Sequence, residues 1–306
     1  ETWFQSDPLI EYIYVPSRDF GFGLKTMNKL IKQYFPRRAE DVKSYDYILL
    51  ISPEVYFFTT QQLQWMYDAI RAGSVLMNSA SVMSQIAQIH NAWGASILSD
   101  AFPNNAEAVI ARGGGGTSSI GVFSVRVNRN FPDPVLSPYL DYGIERIVAR
   151  KSRIVILREG AEAIAYQVGN FPGKNVPFIA VWDYGEGKGR TMTTGDTMDS
   201  DCFFSTQTCN MFNEYVPDML INLIYYSTKR ALITDVEVYH RVRSTFQDFR
   251  TRMEILLSLI AFIEKFGASS EGIQDEIQAL KHMYVRAKDL YFEGDFQGTE
   301  DVMLTA

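Results

Sequence analysis

The chain has 306 residues, 46% of them hydrophobic and 13% aromatic, which supplies a full core and excludes a disordered composition. Its formal net charge is -7 and no block of five or six like charges occurs, so a nucleic-acid arm and a polybasic membrane patch are both excluded. The greasiest stretch, Ile255 to Ile263, falls well short of the ~18–20 apolar residues that span a bilayer.

In chain order, residues 10–15 (IEYIYV) read as a first buried strand, followed by a glycine-punctuated turn from Phe20 to Gly23. A helical pattern then runs through Leu24, Met27, Leu30, Ile31 and Tyr34 until Pro36 stops it. The continuous apolar run from Tyr45 to Ser52 has strand length, and both its faces need cover, as in a parallel sheet. Thr59 or Thr60 caps the next helix, with Leu63, Met66, Tyr67 and Ile70 on its apolar face and Gly73 as its stop. Ser74 to Asn78 is a third strand and Val82 to Ile89 a third helix. Three strand–helix units in succession imply right-handed crossovers and a doubly wound, flavodoxin-like three-layer sandwich.

From about Ala108 to Asp196 the texture becomes strand-rich, with segments at Ile120–Val127, Ile144–Val148, Ile154–Leu157, Ala163–Val168, Phe178–Trp182 and Arg190–Thr194. These read as antiparallel additions to the sheet. A helix from Met211 to about Thr228 packs back on it through Val216, Met219, Leu220, Leu223 and Ile224. Beyond residue 230 apolar residues recur in steps of three and four, at Tyr239, Val242, Phe246, Phe249, Met253, Leu256, Ile260 and Ile263. After a break at Gly267–Ser270 they resume at Ile273, Ile277, Leu280, Tyr284, Ala287 and Tyr291. That is a coiled-coil-like seam on an antiparallel helical hairpin, whose first helix of about 28 residues would be roughly 42 Å long. The expected domains are therefore residues 1–230, α/β, and residues 231–306, helical hairpin.

Three groups of residues could carry chemistry. The turn after the third strand, Met77-Asn78-Ser79-Ala80-Ser81, lies at the carboxyl edge of the sheet, where Asn78, Ser79 and Ser81 either cap the following helix or meet a small ligand. Asp196, Asp199 and Asp201 fall within six residues and could hold a hard cation such as calcium, although their spacing is not that of an EF-hand; solvated loop aspartates are the plainer reading. Cys202 and Cys209, seven apart in a polar loop, would form a disulfide in an oxidising compartment and stay reduced in the cytosol; the spacing leaves both open. The GEGKGR segment, with Gly185, Gly187 and Gly189, is a hairpin connection, since the Gly-Lys-Ser/Thr of a phosphate loop is missing.

The order and spacing of three segments carry a resemblance across residues 10 to 230. They are Asp46–Ser81, the strand–turn–strand Phe178–Met198 with its glycine-rich tip, and the helix Met211–Arg230. Together they resemble the class I glutamine amidotransferase-like superfamily, especially its trehalose-utilisation (ThuA-like) branch. The resemblance implies a cysteine on the strand-to-helix elbow, a histidine to activate it and a carboxylate to orient that histidine. The elbow here holds no cysteine. Of the three histidines, His90 ends a helix roughly 13 Å from the elbow serines, beyond hydrogen-bond reach, while His240 and His282 fall on the hairpin. Glutamine hydrolysis is not expected.

Two functions follow as expectations. One is a non-catalytic binding or scaffold domain, the soluble or extracellular part of a larger protein, membrane-anchored or not, that binds a protein partner or itself through residues 231–306. Relatives with an amidotransferase-like fold but no nucleophile, such as the trimerisation domain of some β-galactosidases, imply this role, and related prokaryotic proteins place such a domain outside the membrane. The first residue is Glu1 rather than Met, so an upstream leader or anchor is expected to have been removed, and the last helix is expected to run on towards a further segment. The other is a ThuA-like carbohydrate-processing or sugar-binding protein, with a pocket lined by Asn78, Ser79, Ser81 and Trp182 and using Asp196. Neither calls for an organic cofactor.

Overall fold

A computed structural model describes residues 4–17, 23–51, 53–79, 96–105, 121–149, 155–168, 175–184, 189–195, 213–266 and 271–305. Among the described residues seven strands form one mixed sheet: β1 (Tyr47–Leu50), β2 (Val75–Ser79), β3 (Gly121–Val127), β4 (Arg146–Ala149), β5 (Glu162–Val168), β6 (Val176–Asp183) and β7 (Arg190–Thr194). Their order across the sheet is β1-β2-β7-β6-β5-β3-β4. The pairings β1–β2 and β2–β7 are parallel, and every pairing from β7 to β4 is antiparallel.

Helices lie on both faces. On one, α1 (Leu24–Tyr34), α2 (Ala39–Lys43) and α3 (Thr60–Ala72) bury Met27, Ile31, Val42, Leu63, Met66 and Ile70 in a core shared with Leu50 and Leu76. On the other lies α4 (Val216–Ser227), whose buried Asn222 donates its amide to the Val135 carbonyl at 2.9 Å. The α3 helix starts and stops where its sequence says. Thr59 accepts from the Gln62 N–H while Gln62 reaches back to the Thr59 N–H, a reciprocal cap, and Gly73 ends the helix at φ +122°. Gly189 has a different reason to be glycine. A Cβ there would overlap the Ser74 carbonyl, because its N–H bonds the Ile70 carbonyl at 2.8 Å and draws the two backbones together. Gly185 and Gly187 lie outside the described residues.

Two expected strands do not form. Residues 10–15 are not a strand, and Ile13 and Tyr14 are half exposed. The segment near Leu157 makes only an isolated bridge with Asn104. The expected helix Val82–Ile89 lies outside the described residues.

The chain divides into two compact units: residues 13–232, and residues 1–12 together with 233–306. The IEYIYV run straddles that division, so its first residues join the helical unit instead of the sheet. This places the boundary differently from the expected cut at 230, which left the N-terminal dozen with the α/β part. In the helical unit α5 (Val236–Lys265) and α6 (Glu271–Phe292) run antiparallel, with Phe246 and Phe249 early in α5 packing on Tyr284 late in α6. The chain does not run on as one helix. Gly294 turns it at φ +83°, and Asp295 caps α7 (Phe296–Leu304) by accepting from the Gly298 N–H at 2.9 Å. Arg241 on α5 holds Glu300 on α7 at 2.8 Å, and this bond keeps the Glu300 carboxyl below its ordinary range. No helix among the described residues is long and apolar enough to cross a membrane.

Candidate functional site

The carboxyl ends of the parallel strands hold an unusual pair. Asn78 on β2 stands in register with Thr193 on β7, so their side chains share one face of the sheet as lateral neighbours. Both residues are fully buried, and among the described residues neither the Asn78 amide nitrogen and oxygen nor the Thr193 hydroxyl has a hydrogen-bond partner. Two positions earlier on the same strand and face, Thr191 does find one, the Trp182 carbonyl at 3.4 Å. Leaving a buried polar group unpaired costs about 1–3 kcal/mol, so three such atoms in adjacent strands are a concentrated debt of hydrogen bonding. Neither side chain titrates near neutrality, so the pair can recognise a neutral hydrogen-bonding group but cannot move a proton.

Ser79 is buried beside Asn78 but, one residue on in a pleated strand, points to the opposite face. The expected pairing of Asn78 with Ser79 in one pocket is therefore not what the strand provides. Trp182 shares the Asn78 face but sits opposite Thr191, one strand further over and about 7 Å back along the sheet. There it meets Tyr184 edge-on at 5.4 Å, with the Arg158 guanidinium over its ring at 5.6 Å. The Tyr184 hydroxyl lies 2.7 Å from that of Tyr67. Burial first, and then that bond, push the Tyr184 phenol up to about 12, so it holds its proton at neutral pH and serves as a hydrogen-bonding group. This aromatic cluster belongs to the end of the sheet away from Asn78.

Ser81, Asp196, Asp199, Asp201, Cys202, Cys209 and His90 lie outside the described residues. Among the described residues no three His, Cys, Asp or Glu side chains come close enough to hold a metal. His240 and His282 fall on α5 and α6, in the helical unit.

Three features went unseen in the sequence. A groove of about 530 Å³ opens beside β3 and β5, with buried Val125 and Leu136 and exposed Arg126, Arg129 and Asp133 among its walls; only the proline-rich run Phe131–Pro134 hinted at a shaped loop there. In the helical unit the buried Asp7 carboxyl accepts from the Tyr239 hydroxyl at 2.6 Å, the Tyr291 hydroxyl at 2.9 Å and the Leu9 N–H at 2.8 Å. Beside it the buried Arg243 donates to the Ser6 hydroxyl at 3.0 Å. Finally, the end of α5 and its C-cap carry a second apolar row: Ile255, Leu259 and Phe262 in the helix and Phe266 just past it are 50–72% exposed. The uncharged run from Ile255 to Ile263 was the signal for it, since the inward seam alone does not need so many apolar residues.

Fold and site together define a mixed α/β protein with a discontinuous helical unit and a buried polar pair at the carboxyl ends of its parallel strands. No protein-family model and no curated protein matches the chain. Among solved structures, cytoplasmic protein STM3548 from Salmonella typhimurium has a TM-score of 0.48 at 15% identity, covering 65% of this chain and 78% of its own. Cytoplasmic protein STM1381 from Salmonella typhimurium LT2 has 0.47 at 16% identity, over 63% and 76%. The N-terminal domain of mmIFT52 has 0.37 at 12%, over 70% and 95%. Likenesses of this size bear on neither ligand nor activity.

Proposed function

We propose that the chain is a non-catalytic binding and scaffold protein, a silent relative of the glutamine amidotransferase-like superfamily on a modified doubly wound, flavodoxin-like plan, with the helical unit as its assembly element. The observation that carries this reading is the exposed apolar row on α5. Its inner seam, where Met253, Ile260 and Ile277 are buried together, already satisfies the hairpin. A second row on a soluble helix is a surface waiting for cover. The test is to replace Phe262 with a photo-crosslinking phenylalanine analogue in the full chain and irradiate it in its native host. Crosslinks at 262 that are missing from a control at exposed Lys281 are expected; no crosslink to any protein overturns the assembly role. Release of ammonia from glutamine by the purified chain would overturn the non-catalytic half.

A second reading has its own support in Asn78 and Thr193, whose unpaired atoms favour a small, neutral, hydroxyl- or amide-bearing ligand such as a sugar. Ligand that binds only the folded chain must raise its melting temperature by mass action. A sugar screen that shifts the native protein and not Asn78→Leu is the expected result, and no shift with any sugar removes the reading.

A further inference from the structure

Resting on the assembly role proposed above, we infer that the occupant of the exposed α5 row is the same row on a second copy of this chain, packed antiparallel about a two-fold axis.

The first argument is the angle between the two rows. The inward seam runs through Phe249, Met253, Leu256 and Ile260, and the exposed row through Ile255, Leu259, Phe262 and Phe266, so Ile255 and Leu259 each precede a seam position by one residue. One residue on an α-helix is a rotation of about 100°. Two seams at that angle belong to a helix with two helical neighbours, as in a bundle, and α6 occupies only one of the places. Helix α6 presents Asp275, Glu276, Gln278 and Lys281 to solvent beside its seam, so the missing neighbour docks on α5 alone.

The second argument is self-complementarity, which an isologous interface requires. The row's spacing is four, three, four, and it reads the same in either direction. A two-fold axis midway between Leu259 and Phe262 therefore sets Leu259 against Phe262 of the partner copy and Ile255 against its Phe266. An aliphatic residue meets an aromatic one at every step, which fills space better than ring on ring or branch on branch. Charge raises no objection either: residues 255–263 contain no ionisable side chain, so two copies approach without like-charge repulsion. Ser258, on the flank, has its hydroxyl engaged by the Glu254 carbonyl of its own helix at 2.8 Å and leaves nothing unsatisfied on docking. Four residues per copy make a small interface, so the dimer is a weak and concentration-dependent one.

Light scattering on the purified full chain tests this. The weight-average mass should climb from 34.8 kDa towards twice that value as concentration rises through the micromolar range. Leu259→Lys and Phe262→Glu, both at exposed positions, should each hold the mass at one chain while leaving the melting temperature unchanged. Mixing the two variants in equal amounts should restore the climb, because the register brings Lys at 259 of one copy against Glu at 262 of the other. A native chain that stays at one mass at every concentration, or single variants that associate as the native chain does, overturns the proposal. Failure of the mixture to recover overturns the antiparallel register. A crosslink at 262 to some other protein, with the pure chain monomeric, would remove the second copy as occupant and leave the assembly role standing.

Discussion

The two units treat buried polarity in opposite ways. In the helical unit the Asp7 carboxyl is 1% exposed and receives hydrogen bonds from two tyrosines on different helices and from the Leu9 N–H. In the α/β unit Asn78 and Thr193 are equally buried and receive none. A satisfied buried polar group fixes a unique arrangement, whereas an unsatisfied one is kept at a cost to stability and so marks a place selected for something else. The contrast separates a polar group that ties elements of its own unit together from a pair whose hydrogen-bonding capacity is left unmatched.

The largest expected effect breaks the satisfied side. Removing both hydroxyls with Tyr239→Phe and Tyr291→Phe takes two donors from a buried carboxyl, at roughly 1.5–3 kcal/mol each. A urea midpoint that hardly moves would show that Asp7 is not held as described. Next comes Gly189→Ala in the α/β unit, where the added methyl meets the Ser74 carbonyl and overpacking costs about 1–3 kcal/mol. The sharpest comparison is the third. Thr193→Val keeps the shape and deletes an unpaired hydroxyl, so it should leave the melting temperature unchanged or raise it, by up to about 1 kcal/mol. A loss of stability there would mean the hydroxyl is bonded after all.

The smallest effect is a matter of pH. Arg241 lowers the Glu300 carboxyl below its ordinary value of 4.5, so Glu300 binds a proton less readily folded than unfolded. Its contribution is complete above about pH 4.5 and drains away as pH falls through the lowered value. Amide-exchange protection along α7, taken relative to the intrinsic rate at each pH, should fall over that acidic range and do so less in Glu300→Gln.

What could be read in the sequence was local. The caps of α3 at Thr59 and Gly73 and the inward seam of α5 and α6 depend on residues a few positions apart, and there the expected and observed elements agree. Residues 10–15 have strand-forming composition but no partner strand, and composition cannot report a missing neighbour. The candidate site was legible in position but not in geometry. The elbow does hold Asn78, yet its mate Thr193 arrives through strand register 115 positions away, and Trp182 faces a different end of the sheet. The Asp7 bonds reach across 232 and 284 positions, a distance over which no periodicity survives.

Those two spans also bear on synthesis. Ribosomes add about 5–20 residues per second, so the Asp7 side chain waits roughly 15 to 60 seconds before its second tyrosine is made. Through that interval the nascent segment must stay unaggregated while the whole α/β unit is translated and collapses behind it. Closure of the discontinuous unit is thus a late event, and a ribosome stalled anywhere before residue 239 leaves Asp7 without either tyrosine.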